Sequence, residues 1–395
     1  MTETNLHREP LPAPPAYGRA SIGDLFTSSA AALGLDGFTN PLQLPAARRI
    51  CVVLVDGLGA SLLRQRAGHA PFLRQRMDSS RTIGSVFPST TAAALASLGT
   101  GLPPGSHGLV GYDVLDPEQG KVVNMLGGWD SGVDPLRWQP HPTVFERVAG
   151  EIPVVTISLP RFEESGLTRA ALRGGRYVSA GTPQARVRAA CEELVGAESM
   201  LAYLYLNELD KTGHRSGCQS ADWVDRLEDL DAQMRTLASR VPPDTLLLLS
   251  ADHGMVDVAP EHRYDYSASP ALINGVAHTA GEPRMVHLYF EPDLDEAGRL
   301  AVLHSWRQAH GGQAWIITRQ EAIGAGLFGE VDATVGPRIG DLLIAAREPV
   351  AFYDTRRVSP SALEVVGQHG SMTRAEREVP LLTLNRPKVN RKAGR

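Results

Sequence analysis

Ile50-Cys-Val-Val-Leu-Val-Asp56-Gly57-Leu-Gly59 is an apolar run of strand length that ends in a carboxylate and a glycine-rich turn. A strand without polar alternation is buried on both faces, as in a parallel sheet covered by helices. Three similar runs follow: Val154–Ile157, Leu201–Leu206 and Leu246–Ser250. Between the last two, residues 222–240 place Leu227, Leu230, Met234 and Leu237 on one helical stripe, with Asp225, Arg226, Glu228 and Asp229 among the polar positions. Alternating strands and helices predict an α/β fold, a three-layer α/β/α sandwich, in which ligands sit beyond the carboxyl ends of the strands.

The pattern changes after residue 266. Val286–Phe290 and Trp315–Thr318 read as strands flanking a helix over Asp293–His310, and Asp341–Ala345 as a third strand. The expected organisation is therefore an arm with a helix within Ser21–Leu35 (1–46), a metal-binding catalytic α/β domain (47–266 and 347–385), an inserted α+β subdomain (267–346) and a basic tail (386–395).

Composition excludes several classes. With 43% hydrophobic and 21% charged residues, the 395-residue chain has the makeup of a globular protein. Its formal net charge is −5, and the basic residues cluster only in the tail, at Arg386, Lys388, Arg391, Lys392 and Arg395. Binding to nucleic acid through phosphate neutralisation is not expected. Cys51, Cys191 and Cys218 are odd in number and far apart, which gives neither a disulfide framework nor a thiolate zinc site. The N-terminus lacks the pattern of a secretory signal, and no apolar run approaches the ~20 residues of a membrane span. A cytoplasmic protein without a membrane partner is expected.

Acids and imidazoles recur just past the strands. Asp56 ends the first run. Asp210 and His214 follow the third, four residues apart, placed either to meet on a helical turn or to curl round a cation in a loop. After the fourth run comes Ser250-Ala-Asp252-His253-Gly254. Side chains of adjacent strand residues point to opposite sides, so Asp252 and His253 can act together only where the strand has ended, and Gly254 permits the turn. His369 lies late in the chain, in Gly367-Gln-His369-Gly370. Carboxylate and neutral imidazole suit Zn²⁺ or Mn²⁺ without a thiolate, and two such ions about 4 Å apart clamp an in-line displacement at phosphorus. Phe87-Pro-Ser89-Thr90-Thr91, just before the helix-forming Ala92–Leu98, supplies hydroxyls where a helix dipole favours an anion or an alkoxide. The alternative use of these hydroxyls is ordinary N-capping.

In this order the segments resemble the alkaline phosphatase superfamily, and most closely its type I phosphodiesterase/nucleotide pyrophosphatase family, over about 50–384. The resemblance implies one ion held by Asp210, His214 and His369, and a second held by Asp56, Asp252 and His253. It implies that Thr91 is the nucleophile bridging both ions, with Thr90 as the register alternative and Ser89 behind it. It also implies two divalent metals, zinc or else manganese, and a small phosphate ester or nucleotide-like substrate. Thr100-Gly101 and His107-Gly108 match the family text as scaffold and pocket wall. One position departs: where nucleotide-cleaving members carry an asparagine that holds a phosphoryl oxygen, this chain has Ala94.

The expected function is hydrolysis of a phosphodiester or nucleotide pyrophosphate through a phosphothreonine. A phosphomonoesterase, a phosphomutase and a structural metal-binding protein are the alternatives. A sulfatase is a third possibility in reaction class, but the Cys/Ser-x-Pro-x-Arg run it needs does not surround the hydroxyl segment. His262, His278, His287, His304 and His310 lack partners at fixed spacing and are expected to bind no metal. Arg284 is read as a turn-end arginine rather than a substrate contact, and Tyr112 and Asp113 as candidates for the pocket wall.

Overall fold

The structure, a computed structural model, describes residues 10–387 apart from 79, 130 and 131. Of the basic tail only Arg386 and Pro387 fall within the described residues. In chain order the principal strands are β1 (Arg49–Val55), β2 (Arg81–Gly84), β3 (Val154–Ser158), β4 (Arg176–Ser179), β5 (Met200–Leu206), β6 (Thr245–Ser250), β7 (Val276–Glu282), β8 (Met285–Phe290), β9 (Ala314–Thr318), β10 (Leu342–Ala346) and β11 (Glu378–Asn385). The helices used below are α1 (Asp24–Ala32), α2 (Thr91–Thr100), α3 (Gly166–Ala171), α4 (Glu208–Ser216), α5 (Ala221–Arg240) and α6 (Glu296–His310).

Seven strands form the central sheet in the order β2-β11-β6-β1-β5-β3-β4. The five in the run from β6 to β4 are parallel, and β11 pairs antiparallel with both β6 and β2. All residues of β5 and β6 are buried, as are all of β1 after Arg49. This is why their sequences show no alternation. Ser220 caps α5 by accepting from the Trp223 N–H, and the stripe Leu227, Leu230, Met234 and Leu237 is buried. Among the described residues no helix is long and apolar enough to cross a membrane.

The β1 position in that order matters most for function. It lies between β5 and β6, and its end is in register with both: Val55 is opposite Leu206, and Leu54 is opposite Ser250. Neighbouring strands are ~4.8 Å apart. Asp56, the Asn207–His214 segment and the Ala251–Gly254 turn therefore emerge side by side from one edge of the sheet.

Residues 276–346 build a separate antiparallel sheet, β7-β8-β10-β9, with α6 beside it. The expected helix starts at Glu296, capped by Asp295, instead of Asp293. β7 was not anticipated from the sequence. The small core of this unit also takes in Tyr266, Val350 and Phe352, just outside 267–346. The N-terminal segment is no loose arm from residue 10 onward. Ile22, Leu25 and Phe26 are fully buried, and the Phe26 ring meets Phe145 at 4.7 Å and Tyr203 at 5.6 Å. A Pro/Ala-rich composition concealed a few large apolar side chains that fill the main core.

Two histidines are buried near the contact between these units. His107 Nδ1 accepts from the Leu109 N–H, and its Nε2 lies 2.9 Å from Ser97 Oγ. His287 Nδ1 accepts from the Gly340 N–H at 3.2 Å. Burial pushes both imidazoles down to about 3. The unfolded chain takes up these protons near the ordinary histidine value of ~6.5. The stability contributed by neutral burial is thus fully present above that pH and is lost as pH falls from there towards 3. Each histidine should cost up to ~1.4 kcal/mol per pH unit within this window. Urea midpoints measured from pH 7 to pH 4.5 should fall, and fall less steeply in His287→Gln. An unchanged slope in the variant would show that His287 takes no part.

Candidate active site

Asp56 leaves β1 into a turn at Gly57, whose φ is +74°. A side chain there would be strained, and its Cβ would stand 3.2 Å from Asp210 Cα. Asp252 and His253 follow β6 after a single residue, Ala251. The next residue, Gly254, passes so close to the Ala375 carbonyl that a Cβ would lie 2.0 Å from its oxygen. Both glycines allow strand ends to crowd together. Asp210 and His214 occupy successive turns of α4, the first of the two arrangements left open by their spacing, with His214 Nε2 3.3 Å from Asp210 Oδ1. His369 is brought in from the far end of the chain, and its ring stacks on His253 at 3.6 Å between centroids.

The three imidazoles share one arrangement. Nδ1 of His214 donates to the Gly367 carbonyl at 2.7 Å, that of His253 to Gly254 at 3.1 Å, and that of His369 to Ser89 at 3.1 Å. A carbonyl oxygen only accepts, so each Nδ1 carries a proton and each Nε2 is the nitrogen left to meet the other side chains of the site. Those nitrogens face carboxylates: His253 Nε2 is 3.4 Å from both Asp56 Oδ1 and Asp252 Oδ2, and His369 Nε2 is 4.0 Å from Asp210 Oδ1. Asp56 Oδ1, Asp210 Oδ1 and Asp252 Oδ2 are buried without a hydrogen-bond partner. Imidazole nitrogens that face buried carboxylate oxygens without partners are a donor set suited to divalent cations, and anchoring the remote imidazole N–H on a backbone acceptor is how metal-ligating histidines are held. The residues fit divalent ions.

Two donor groups are close enough to hold an ion: Asp56, Asp252 and His253 in one, and Asp210, His253 and His369 in the other. Among the described residues no other cluster of three such side chains occurs. The first trio matches the set expected from the sequence. In the second, His253 stands where His214 was expected, because its ring lies between the two groups while His214 stays against Asp210. Burial, then the charges of Asp210 and Asp252, push the Asp56 carboxyl well above the usual range. Burial, then His253 and His214, push His369 well below its own. Like groups are thus held together against their electrostatic preference.

Thr91 is the first residue of α2, and its Oγ1 lies 3.1 Å from His253 Nε2. No side chain caps this helix. Thr90 Oγ1 is buried and unpartnered, and Ser89 Oγ donates to the Ser371 carbonyl. The capping alternative is therefore not realised by any of the three hydroxyls. Ala94 is fully buried and does not line the cavity that opens onto Thr90 and Thr91. That cavity, of about 640 Å³, is also lined by Asp56, Asp210, His214, His369 and Tyr112, but not by Asp113, which pairs with Arg357.

The family profile described as type I phosphodiesterase/nucleotide pyrophosphatase matches residues 50–372. The chain belongs to this family. It is therefore a hydrolase of phosphoester bonds in the alkaline phosphatase superfamily, a metal-dependent class. Comparison with curated proteins gives no match. Among solved structures, murine ectonucleotide pyrophosphatase/phosphodiesterase 5 is similar at 16% identity with a TM-score of 0.67, over 85% of this chain and 87% of that one. An inactive form of the same murine protein in complex with AMP is similar at 15% identity with a TM-score of 0.66, over 85% and 88%. Phosphonoacetate hydrolase from Sinorhizobium meliloti, in complex with phosphonoacetate, is similar at 19% identity with a TM-score of 0.65, over 88% and 94%.

This family member has site residues that its sequence did not advertise. The Tyr205 hydroxyl donates to Asp56 Oδ2 and aims that carboxylate. Tyr205 reads in sequence as one more apolar strand position. Glu282, at the end of β7, lines the cavity with its Oε1 buried and unpartnered, and its Oε2 is 3.6 Å from His369 Nδ1. The adjacent Arg284 turns away. It is fully buried in a bidentate pair with Glu376 (2.7 and 2.8 Å) and donates to the carbonyls of Glu348 and Val350. It sits in the turn between β7 and β8, as read from the sequence, but it is buried there and does not line the cavity. Reading arginine as the informative residue of Gly281-Glu-Pro-Arg284 passed over the glutamate. His262, His278, His304 and His310 join neither donor group.

Proposed function

We propose that the chain hydrolyses a phosphodiester or nucleotide-like pyrophosphate through a phosphothreonine on Thr91, at a centre holding two divalent cations, zinc by preference and manganese as the alternative. The observation that carries this reading is the meeting of three imidazole Nε2 atoms and three unpartnered carboxylate oxygens beside a threonine hydroxyl at a helix start. Asp56, Asp252 and His253 would hold one ion, and Asp210 and His369, with His253 or His214, the other. When bound, such ions supply positive charge that acidifies a nearby hydroxyl and neutralises a phosphoryl group.

The remaining work falls to the chain itself. The N-terminus of α2 favours negative charge on Thr91 Oγ1 and on the incoming phosphoryl oxygens. Oγ1 gives up its proton to solvent and forms a bond to phosphorus as the bond from phosphorus to the leaving oxygen breaks, and that oxygen departs with the electron pair and gains a proton from solvent. Water then loses a proton to solvent as its oxygen bonds to phosphorus, Oγ1 leaves with the electron pair, and protonation restores the threonine hydroxyl. Tyr205 holds Asp56, and the Gly57 N–H donates to Asp252 Oδ1 at 3.2 Å, so both carboxylates keep fixed orientations throughout.

The deciding experiment compares an aryl phosphate diester with the aryl monoester on metal-analysed protein. Faster turnover of the diester supports the reading, and a preference for the monoester replaces it with a phosphomonoesterase. Chelator treatment is expected to remove about two ions per chain, abolish turnover and lower the melting temperature. Zinc or manganese should restore all three. Full activity in protein shown to be metal-free would refute the two-cation centre.

A further inference from the structure

The antiparallel unit reaches the cavity at a single point. Of residues 267–346 only Glu282 and Pro283 line it, so Glu282 is the one charged group this unit contributes there. The turn that presents it is held on both sides. Gly281, just before, has a φ of +82°, and a Cβ there would lie 2.1 Å from the Met285 carbonyl oxygen. Arg284, just after, is locked in its pair with Glu376. The glutamate is thus delivered by a braced hairpin and has no freedom to swing into solvent.

Its surroundings keep room for the carboxyl and offer it no donor. The side chain is only 6% exposed, and Oε1 accepts no hydrogen bond. Oε2 is 3.6 Å from His369 Nδ1, but that N–H already donates to the Ser89 carbonyl at 3.1 Å. Arg284, the nearest cation in sequence, directs its donors at Glu376 and at the Glu348 and Val350 carbonyls. On the other side packs Gly370, where a Cβ would lie 2.5 Å from Glu282 Cδ. Buried acceptors are rarely left unpaired, and an acceptor so placed is satisfied when a ligand brings the donor. The backbone fixes where this corner lies. The Ser89 N–H donates to the Gly370 carbonyl at 3.1 Å, which sets residues 369–370 beside 89–90. Thr90 Oγ1, likewise buried and unpartnered, faces the same cavity one residue before Thr91. Glu282 therefore stands on the nucleophile's side of the reacting phosphorus.

We propose that Glu282 is a specificity residue, which accepts a hydrogen bond from an O–H or N–H on the ester arm that stays on phosphorus, so that the substrate is a diester of a polyol or an amino alcohol. The proposal rests on the diesterase reading above and names its substrate class. In-line attack puts the leaving oxygen opposite Thr91 Oγ1, and the arm on the nucleophile's side is the one retained. Adjacent Cα atoms are ~3.8 Å apart, so a corner beside Thr90 is reached by a short arm of about three carbons. A carboxylate on that arm would meet Glu282 as a like charge and be disfavoured.

Four p-nitrophenyl phosphate diesters test this on the metal-loaded protein, with second arms of propyl, 3-hydroxypropyl, 3-aminopropyl and 2-carboxyethyl. Expected kcat/KM rises roughly tenfold over propyl for the better of the two donor arms and falls below propyl for the carboxylate. A larger gain with hydroxypropyl assigns the polyol, and a larger gain with aminopropyl assigns the amino alcohol. In Glu282→Leu both gains should disappear and the carboxylate arm should no longer be disfavoured. In Glu282→Gln the gain with the amine should shrink several-fold. Calorimetric binding of 3-hydroxypropylphosphonate and 3-aminopropylphosphonate against propylphosphonate should show the same pattern without turnover. Equal rates for propyl and both donor arms in the wild type would overturn the role of Glu282 and leave the diesterase standing. So would donor gains that persist in Glu282→Leu while all four rates fall together, the result expected if the carboxylate only steadies His369. Failure of the metal-loaded protein to cleave any of the four esters would overturn the diesterase reading, and the assignment of the arm with it.

Discussion

Thr91→Ala is expected to lower the turnover of an aryl phosphate diester by three or more powers of ten, about 4 kcal/mol or more of lost transition-state stabilisation. The size of the effect follows from position. Oγ1 is the hydroxyl that stands 3.1 Å from His253 Nε2, in a cavity it shares with Asp56, Asp210 and His369. Nothing else in the site offers an oxygen of that kind at the start of α2 except Thr90, whose Oγ1 is buried one residue earlier. Loss of a nucleophile leaves only background attack by water. Thr91→Ser should recover part of the rate, because it keeps the oxygen while losing the methyl group that restrains its rotamer. Metal content measured on the alanine variant should match the wild type, since three ligand residues per ion remain. The assignment moves to Thr90 if Thr91→Ala turns over normally and Thr90→Val is dead.

Breaking the pair between Arg284 and Glu376 is the second large effect, and it acts on stability. Both side chains are fully buried, and their two parallel hydrogen bonds tie the turn after β7 to the residues just before β11. Glu376 also accepts from the Ser371 N–H, and its carbonyl accepts from Gly254 N. The same pin thus braces the loops that carry His253 and His369. Arg284→Met leaves an unpaired carboxylate in the interior and should cost roughly 3–5 kcal/mol in urea unfolding. The double variant Arg284→Met/Glu376→Leu removes both charges and should be less damaged than either single change, because no uncompensated ion remains. Equal losses in the double and single variants would show that the guanidinium matters only through its contacts with the Glu348 and Val350 carbonyls.

Much of this architecture was legible because its signals are local. The β1, β3, β5 and β6 runs are mainly apolar and show no alternation because each strand is buried on both faces, and α5 shows its stripe because one face alone is buried. The acids and imidazoles at the strand ends could be picked out by residue type for the same reason. β7 was not legible. Its stretch, Val276-Ala-His-Thr-Ala-Gly-Glu282, is half-buried at its start, mixes small and polar residues and ends in the turn that forms the hairpin with β8. The buried Phe26 was hidden by the proline-rich composition around it.

The sequence alone determined the main parallel strands, the α5 stripe, the chemical type of each donor and a run of hydroxyls ahead of a helix, since these depend on neighbours within a turn or a strand. Only the tertiary structure decided how the donors are shared. The strand order sets β1 between β5 and β6, and stacking with His369 places His253 between the two groups, so that ring is within reach of carboxylates on both sides while His214 remains beside Asp210. It likewise turned Arg284 inward, aimed Tyr205 at Asp56 and brought Glu282 beside His369. Each of these outcomes is a contact between residues tens to hundreds of positions apart, and such contacts are set by sheet order and register, which no local pattern encodes.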